Sequence, residues 1–236
     1  MKLLAFGLIL ICCNAQAMRI NGKYGNSLVE GFLEKLKAIM KTGNDTLGIP
    51  ILDPFNADEM KIDVHEDQIN VDGSLTKVNA NGLSEYDIIN GDFELGGNLV
   101  LILHLSWPLV VASTNYDIKG NAADFEIFGK GEMNLSAKEF AFNTTIYLSM
   151  DGGMQGHLKV QDMALKLSLK KLDFKITGLF DDEDLSALLS SMISDMAPKL
   201  ADDEKIIYEI IEVVKQLIDE FCSTMTVEEI LKLVLG

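Results

Sequence analysis

The hydrophobic positions of this chain keep three rhythms in succession. Across residues 27–41, Leu28, Val29, Phe32, Leu33, Leu36, Ile39 and Met40 recur at steps of three and four, which predicts one amphipathic helix with a single apolar stripe. Ser27 and Glu30 have capping-box spacing, Gly31 weakens the stripe modestly, and Gly43 stands just past the last turn as a stop. A connector follows, Leu47-Gly48-Ile49-Pro50-Ile51-Leu52-Asp53-Pro54-Phe55, whose two prolines hold it extended and out of helix.

From there to about Ile176 the period becomes two. Met60, Ile62 and Val64 alternate with charged residues, and Met163, Leu165, Leu167 and Leu169 alternate with Ala164, Lys166, Ser168 and Lys170. Leu99, Leu101, Leu103, Leu105 and Trp107 line one face of a long strand, with Val100, Ile102 and His104 on the other. A strand apolar on both faces is expected to be covered on both. Asp72-Gly73, Asn81-Gly82, Asn90-Gly91, Gly96-Gly97, Gly129 with Gly131, and Asp151-Gly152-Gly153 punctuate these runs, so an antiparallel meander of long strands is predicted.

Past Phe180 the helical period returns. Four acidic residues, 181–184, sit where a helix macrodipole favours them. Leu185, Leu188, Leu189, Met192, Ile193 and Met196 then follow at helical spacing up to Pro198. A second helix is predicted from about Asp202 to Cys222, with Ile207, Ile211, Val214 and Ile218 on a wide apolar face. Thr226 and Glu229 form a capping box for a short last helix over residues 227–235. Helix, long antiparallel strands, then helices is an α+β order. One economical packing is a long helix wrapped by a strongly curved antiparallel sheet, with an internal hydrophobic tunnel inside the curl.

Residues 1–17 read as a secretory signal peptide: Lys2, an apolar run over residues 3–13, and Ala15-Gln16-Ala17 as a cleavage site. The run is shorter than the about 20 apolar residues that span a bilayer. Its removal leaves residues 18–236 as a single domain, expected to be secreted and extracellular. Cys12 and Cys13 leave with it, and the remaining thiol, Cys222, falls in an apolar helical stretch and is expected to be buried. Without Lys2 there are 19 basic residues against 36 acidic ones, a net charge of −17. That field repels phosphate backbones and anionic headgroups, so neither nucleic-acid binding nor stable membrane insertion is expected, and the high charge favours a monomer.

The chain carries no recognisable catalytic signature. There is no Gly-x-Ser-x-Gly elbow, phosphate-binding glycine loop or Cys-x-x-Cys pair. His65, His104 and His157 fall far apart, none with a second His or Cys at metal-ligand spacing, so no metal and no cofactor is expected. His104 reads as a core residue or a polar anchor in a pocket. Asn44, Asn134 and Asn143 begin Asn-x-Ser/Thr sequons and are candidate glycosylation sites. A non-enzymatic container for something apolar is the function class this leaves. Its candidate tunnel lining comprises Leu36 and Met40 of the first helix, Leu101, Leu103, Leu105 and Trp107 of the two-faced strand, and the rings of Phe125, Phe128, Phe140 and Phe142.

The 47–55 connector resembles a motif of the insect juvenile-hormone-binding and takeout family, in which a Leu-Gly-Ile-Pro-x-Leu-Asp-Pro run follows a first helix. Tyr116-Asp117-Ile118-Lys119-Gly120 and Gly129-Lys130-Gly131 are similar to that family's middle strands, and the helical ending matches. Group 7 mite allergens are similar in layout. The resemblance implies the wrapped-helix architecture of the superfamily that includes bactericidal permeability-increasing protein. It also implies a secreted carrier of lipophilic small molecules or lipids; microbial lipid recognition is the alternative, and the charge argues against it. One departure stands out. Hormone-binding members carry a cysteine pair near the mature N-terminus, and residues 18–46 contain none, which leaves the ligand's class as the expectation and juvenile hormone itself in question.

Overall fold

The first stripe forms helix α1 (Gly25–Thr42), beginning two residues before the capping box would place it, so Ser27 lies inside the helix. Gly43 ends it at φ 71°, where its N–H reaches Ile39 O at 2.7 Å; without a Cβ, glycine takes this left-handed conformation at little cost. The computed structural model describes residues 25–45, 49–66, 69–95, 99–123 and 125–229, so the signal-peptide expectation lies outside the described residues.

The alternating region folds into six antiparallel strands: β1 (Phe55–Glu66), β2 (Ile69–Asn81), β3 (Asp87–Leu95), β4 (Leu99–Ala122), β5 (Phe125–Asp151) and β6 (His157–Ile176). Their order is β1-β2-β4-β5-β6. One edge of β4 is shared between two partners: β3 pairs with it from Leu99 to Ser106, and β2 from Val111 to Ala122. Between these stretches Pro108, which has no N–H to give to a ladder, lies across from Glu139 at φ 48°. The buried positions change parity across this waist. They are Leu101, Leu103 and Leu105 on β4 and Ile146 and Leu148 on β5 before it, but Tyr116 and Gly129 beyond it.

Several glycines read as turn signals lie inside strands instead. Gly91 is in the middle of β3 because α1 passes there: a Cβ would stand 2.9 Å from Val29 Cγ1. Gly131 is inside β5, where a Cβ would stand 2.1 Å from the carbonyl oxygen of Thr177 as the chain leaves β6. Close backbone approach, rather than a turn, accounts for both. The cover expected on both faces of residues 99–111 is also one-sided, since Val100, Ile102 and His104 are only half-buried.

Two long helices follow β6, α2 (Glu183–Leu200) and α3 (Glu204–Ser223). Asp182 caps α2 by accepting from Leu185 N at 2.9 Å, and Asp203 caps α3 by accepting from Ile206 N at 3.1 Å. Pro198 lies inside the last turn of α2 rather than ending it. The capping box at Thr226 and Glu229 forms as predicted, although the helix it opens is described only to residue 229.

Both helices dock along β6, whose other edge has no strand partner among the described residues. Ser190 Oγ accepts the N–H of Ile176 and Ser194 Oγ that of Phe174, each at 3.0 Å, while Asp219 accepts the N–H of Val160 at 2.7 Å. Donors that would otherwise be left open on an edge strand are thereby satisfied. This inverts the expectation for α2. Ser186 and Ser190 are buried, whereas Leu188, Met192, Ile193 and Met196 are exposed.

Candidate ligand-binding site

Leu101, Leu103 and Leu105 project from β4 beneath α1, where Val29, Phe32 and Leu33 cover them. Leu101 and Leu103 are fully buried and Leu105 is 5% exposed, so these three candidate lining residues are closed core in this conformation. The core continues through Ile146 and Leu148 of β5 and Leu158 and Val160 of β6 to Ile218 and Cys222 of α3.

Toward the waist the packing loosens around Trp107. Its ring centroid lies 5.3 Å from Tyr86, 5.7 Å from Phe140 and 5.6 Å from Phe142, and all three pairs are tilted rather than stacked. Leu36 and Met40 of α1, like Trp107 and Phe142, are partly buried and pack against the buried core. Each polar handle here is tied inward: the Trp107 indole N–H donates to Leu83 O at 2.9 Å, and the Tyr86 hydroxyl donates to Leu33 O at 2.7 Å. Burial, with the charge of Glu34 adding to it, holds the Tyr86 hydroxyl protonated well above the usual phenol range. The Lys37 ammonium lies 5.0 Å over the Tyr86 ring. What this patch offers is ring faces, with no buried unpaired polar group among its described members.

The connector braces this patch from below. Leu52 N and Asp53 N both donate to Met40 O, at 2.8 and 3.0 Å, which ties the connector to the C-terminal turn of α1. Asp53 is buried, and its carboxylate accepts from Gly82 N at 2.9 Å, Ser84 N at 2.8 Å and the Ser84 hydroxyl. Burial pushes the Asp53 carboxyl up, but the hydrogen bonds from Ser84 and Gly82 and the nearby Lys41 charge outweigh it and hold the group below its ordinary value. Asp53 was not among the residues singled out from the sequence. The signal was its place in the Leu-Asp-Pro run.

Phe125 does not join the site. It is 77% exposed at the first position of β5, and Phe142 lies about 55 Å further along the strand at the usual rise per residue. Phe128, in the same half, pairs edge-on with Phe180 at 5.6 Å. His104 is half-buried on the face opposite Leu103, aligned with Asn90 and Asn143 on the neighbouring strands, which corrects its reading as a core residue. Asn134 and Asn143 are exposed within β5; Asn44 pairs through its backbone with Ile49, and Thr46 of its sequon lies outside the described residues. An open groove of about 370 Å³ crosses the other half of the sheet, floored by Val111, Ser113, Leu135 and Phe174 and rimmed by Asn79 and Asn134. Its lining is mainly apolar, with Asp173 and Lys175 also among the residues around it, and it includes none of the Trp107 cluster. Among the described residues, no helix is long and apolar enough to cross a membrane.

Comparison with known proteins places this geometry. Takeout 1 of Epiphyas postvittana superposes with a TM-score of 0.50 at 18% identity, over 85% of this chain and 92% of that one, and so shares the fold. A lipopolysaccharide binding protein aligns over 86% of this chain and 40% of its own, at 15% identity and a TM-score of 0.35. No curated protein matches at the level of sequence. The family model for haemolymph juvenile hormone binding proteins, however, matches residues 9–232, nearly the whole length. With the helix, the connector and the antiparallel sheet in the order found above, the chain belongs to the haemolymph juvenile hormone binding protein family.

Proposed function

We propose that this protein is a secreted, monomeric, non-enzymatic carrier that holds a lipophilic small molecule or lipid against the Trp107 cluster. The observation that carries this reading is the group of four aromatic rings, Tyr86, Trp107, Phe140 and Phe142, whose polar atoms are already paired inward. An apolar ligand docking there leaves no buried donor or acceptor unsatisfied. Removing about 300 Å² of ligand surface from water at about 25 cal/mol per Å² yields roughly 7 kcal/mol before entropy costs, enough for micromolar affinity.

Family membership supports the class of ligand. The absence of cysteine from residues 18–46 separates this chain from disulfide-closed hormone binders, and argues for a lipophilic ligand other than juvenile hormone. Recognition of microbial lipids is the second reading. The overall charge of −16 disfavours it, because phosphorylated lipids need basic patches. Native mass spectrometry of protein purified from its source tests the proposal. A co-purifying apolar molecule in one-to-one ratio on a monomer supports it. A ligand-free protein that takes up no lipophilic probe overturns it.

A further inference from the structure

The β1–β2 hairpin carries a side-chain constellation remote from the Trp107 cluster. Asp63 and Asp72 are direct partners across the two strands, so their carboxylates share one face of the sheet. Like charges placed opposite each other in this way are destabilising unless something lies between them. His65, two residues along from Asp63 on that face, directs Nε2 at both: 2.9 Å from Asp63 Oδ1 and 3.4 Å from Asp72 Oδ1. Its other nitrogen, Nδ1, is 3.2 Å from Asn70 Oδ1, directly across the ladder. An amide oxygen is an acceptor, so Nδ1 can donate to Asn70, and Nε2 is the ring atom turned toward the two carboxylates.

Three atoms able to ligate a metal, one imidazole nitrogen and two carboxylate oxygens, converge on one point. Lys61 and Lys119 stand on adjoining ladder positions, yet among the described residues neither forms an ion pair with Asp63 or Asp72. We propose that His65 Nε2, Asp63 and Asp72 form a divalent transition-metal site, best matched to Zn²⁺, with Asn70 as the residue that orients the imidazole. The spacing suits that ion. Ligands at about 2.0–2.2 Å in a tetrahedron stand about 3.4 Å apart, and the three donor atoms here already lie within 4.8 Å of one another. An imidazole among the ligands favours zinc over the all-oxygen cations Mg²⁺ and Ca²⁺. A hydrogen bond holding the far nitrogen of a metal-bound histidine is the usual outer-shell arrangement.

The site's work is structural. Among the described residues β1 is an edge strand paired with β2, and a metal clamped across Asp63 and Asp72 staples that pair while cancelling its charge repulsion. All three ligands are exposed, so the remaining coordination positions belong to water and the affinity is micromolar rather than that of a closed zinc finger. Local sequence gave no warning, because the third ligand comes from the neighbouring strand.

Isothermal titration of ZnCl₂ into the untagged full chain, with MgCl₂ as control, tests the assignment. The expected result is one zinc per chain in the micromolar range, no magnesium binding, and a melting temperature raised by zinc and restored by EDTA. His65→Ala and Asp72→Asn should each weaken binding at least tenfold, while His157→Ala leaves it unchanged. Zinc-edge X-ray absorption of the natural chain reads the ligand set without any substitution, and should report one imidazole with oxygen ligands. No zinc binding, binding indifferent to His65→Ala, or a spectrum with sulfur or several imidazoles overturns the site.

Discussion

Asp53 and Ser84 are joined twice: one carboxylate oxygen of Asp53 accepts both the backbone N–H and the hydroxyl of Ser84, while the other accepts Gly82 N–H. The pair links the connector after α1 to the turn between β2 and β3, from which Trp107 takes its hydrogen bond. Because Leu83 O, the acceptor for Trp107, lies inside that turn, the aromatic patch depends on a carboxylate it does not touch.

Replacing Asp53 with Ala should destabilise the protein by about 3 kcal/mol, since two backbone donors lose a charged acceptor in a buried place. The pH dependence has a definite sign. Folding lowers the Asp53 pKa, so its stabilisation is fully present above the ordinary carboxylate value near 3.9 and is lost as pH falls through the lower folded value. Urea unfolding midpoints measured from pH 7 down to pH 3 should therefore drop more steeply for the natural chain than for Asp53→Asn. Parallel curves would mean that the carboxylate carries no such role.

The serine ladder of α2 makes a separate prediction. Ser190 is buried, accepts from Ile176 N and donates to Ser186 O at 2.7 Å, so Ser190→Ala strands an edge-strand donor against the helix. A loss of about 1–2 kcal/mol is expected. Amide hydrogen exchange at Ile176 and Phe174 should accelerate well before exchange in β4 does. Uniform acceleration across the sheet would show that the helix does not protect this edge specifically.

Cys222 is almost fully buried, and burial, with the charge of Asp219 adding to it, pushes its thiol up to about 12. Because the thiolate is the reactive form, a disulfide-exchange reagent should label the folded chain only as fast as the chain opens. Thermal stability should be the same with and without reductant. A melting temperature lowered by reductant would reveal a bridge between two chains.

Much of this architecture was legible from periodicity. The helical stripe of α1, the alternation of β4 and the acidic start of α2 each found the element they foretold, because burial of one face selects the period directly. Glycine misled where long strands cross other backbone. Gly91 and Gly131 look like turn residues, yet their reason is a neighbour 2–3 Å from the missing Cβ, and no local pattern records which segment passes there. The stripe of α2 misled for a related cause: sequence predicts that Leu188 and Met192 face a core, but β6 required hydrogen-bond acceptors along its edge, and the serines took the inner face. At the candidate site, Trp107, Phe140 and Phe142 share a face because they alternate on two paired strands. Phe125 shares the parity of Gly129, the buried position beyond the waist, yet it is exposed at the first residue of β5, far along the strand from Phe142.

The closed and the loosened ends of the apolar core should separate in mutants. Leu103 is fully buried, so Leu103→Ala should cost about 3–4 kcal/mol as transfer and cavity terms add, while the fraction that remains folded binds a hydrophobic fluorescent probe as before. Phe140 is only half-buried at the edge of the Trp107 cluster, so Phe140→Gln should cost far less stability but weaken the probe at least tenfold by placing a polar amide against the ligand. Trp107 is the only tryptophan in the chain, which makes its emission a direct reporter of the cluster. Titration with a long-chain fatty acid or an isoprenoid alcohol should shift that emission to shorter wavelength and displace the probe along the same curve. If the probe binds but Trp107 emission does not move, the ligand lies elsewhere, with the open groove beside Asn134 and Phe174 the next place to test. If Leu103→Ala abolishes binding in a chain that is still folded while Phe140→Gln leaves it intact, the core beneath α1 opens to admit the ligand and the Trp107 patch is only its wall.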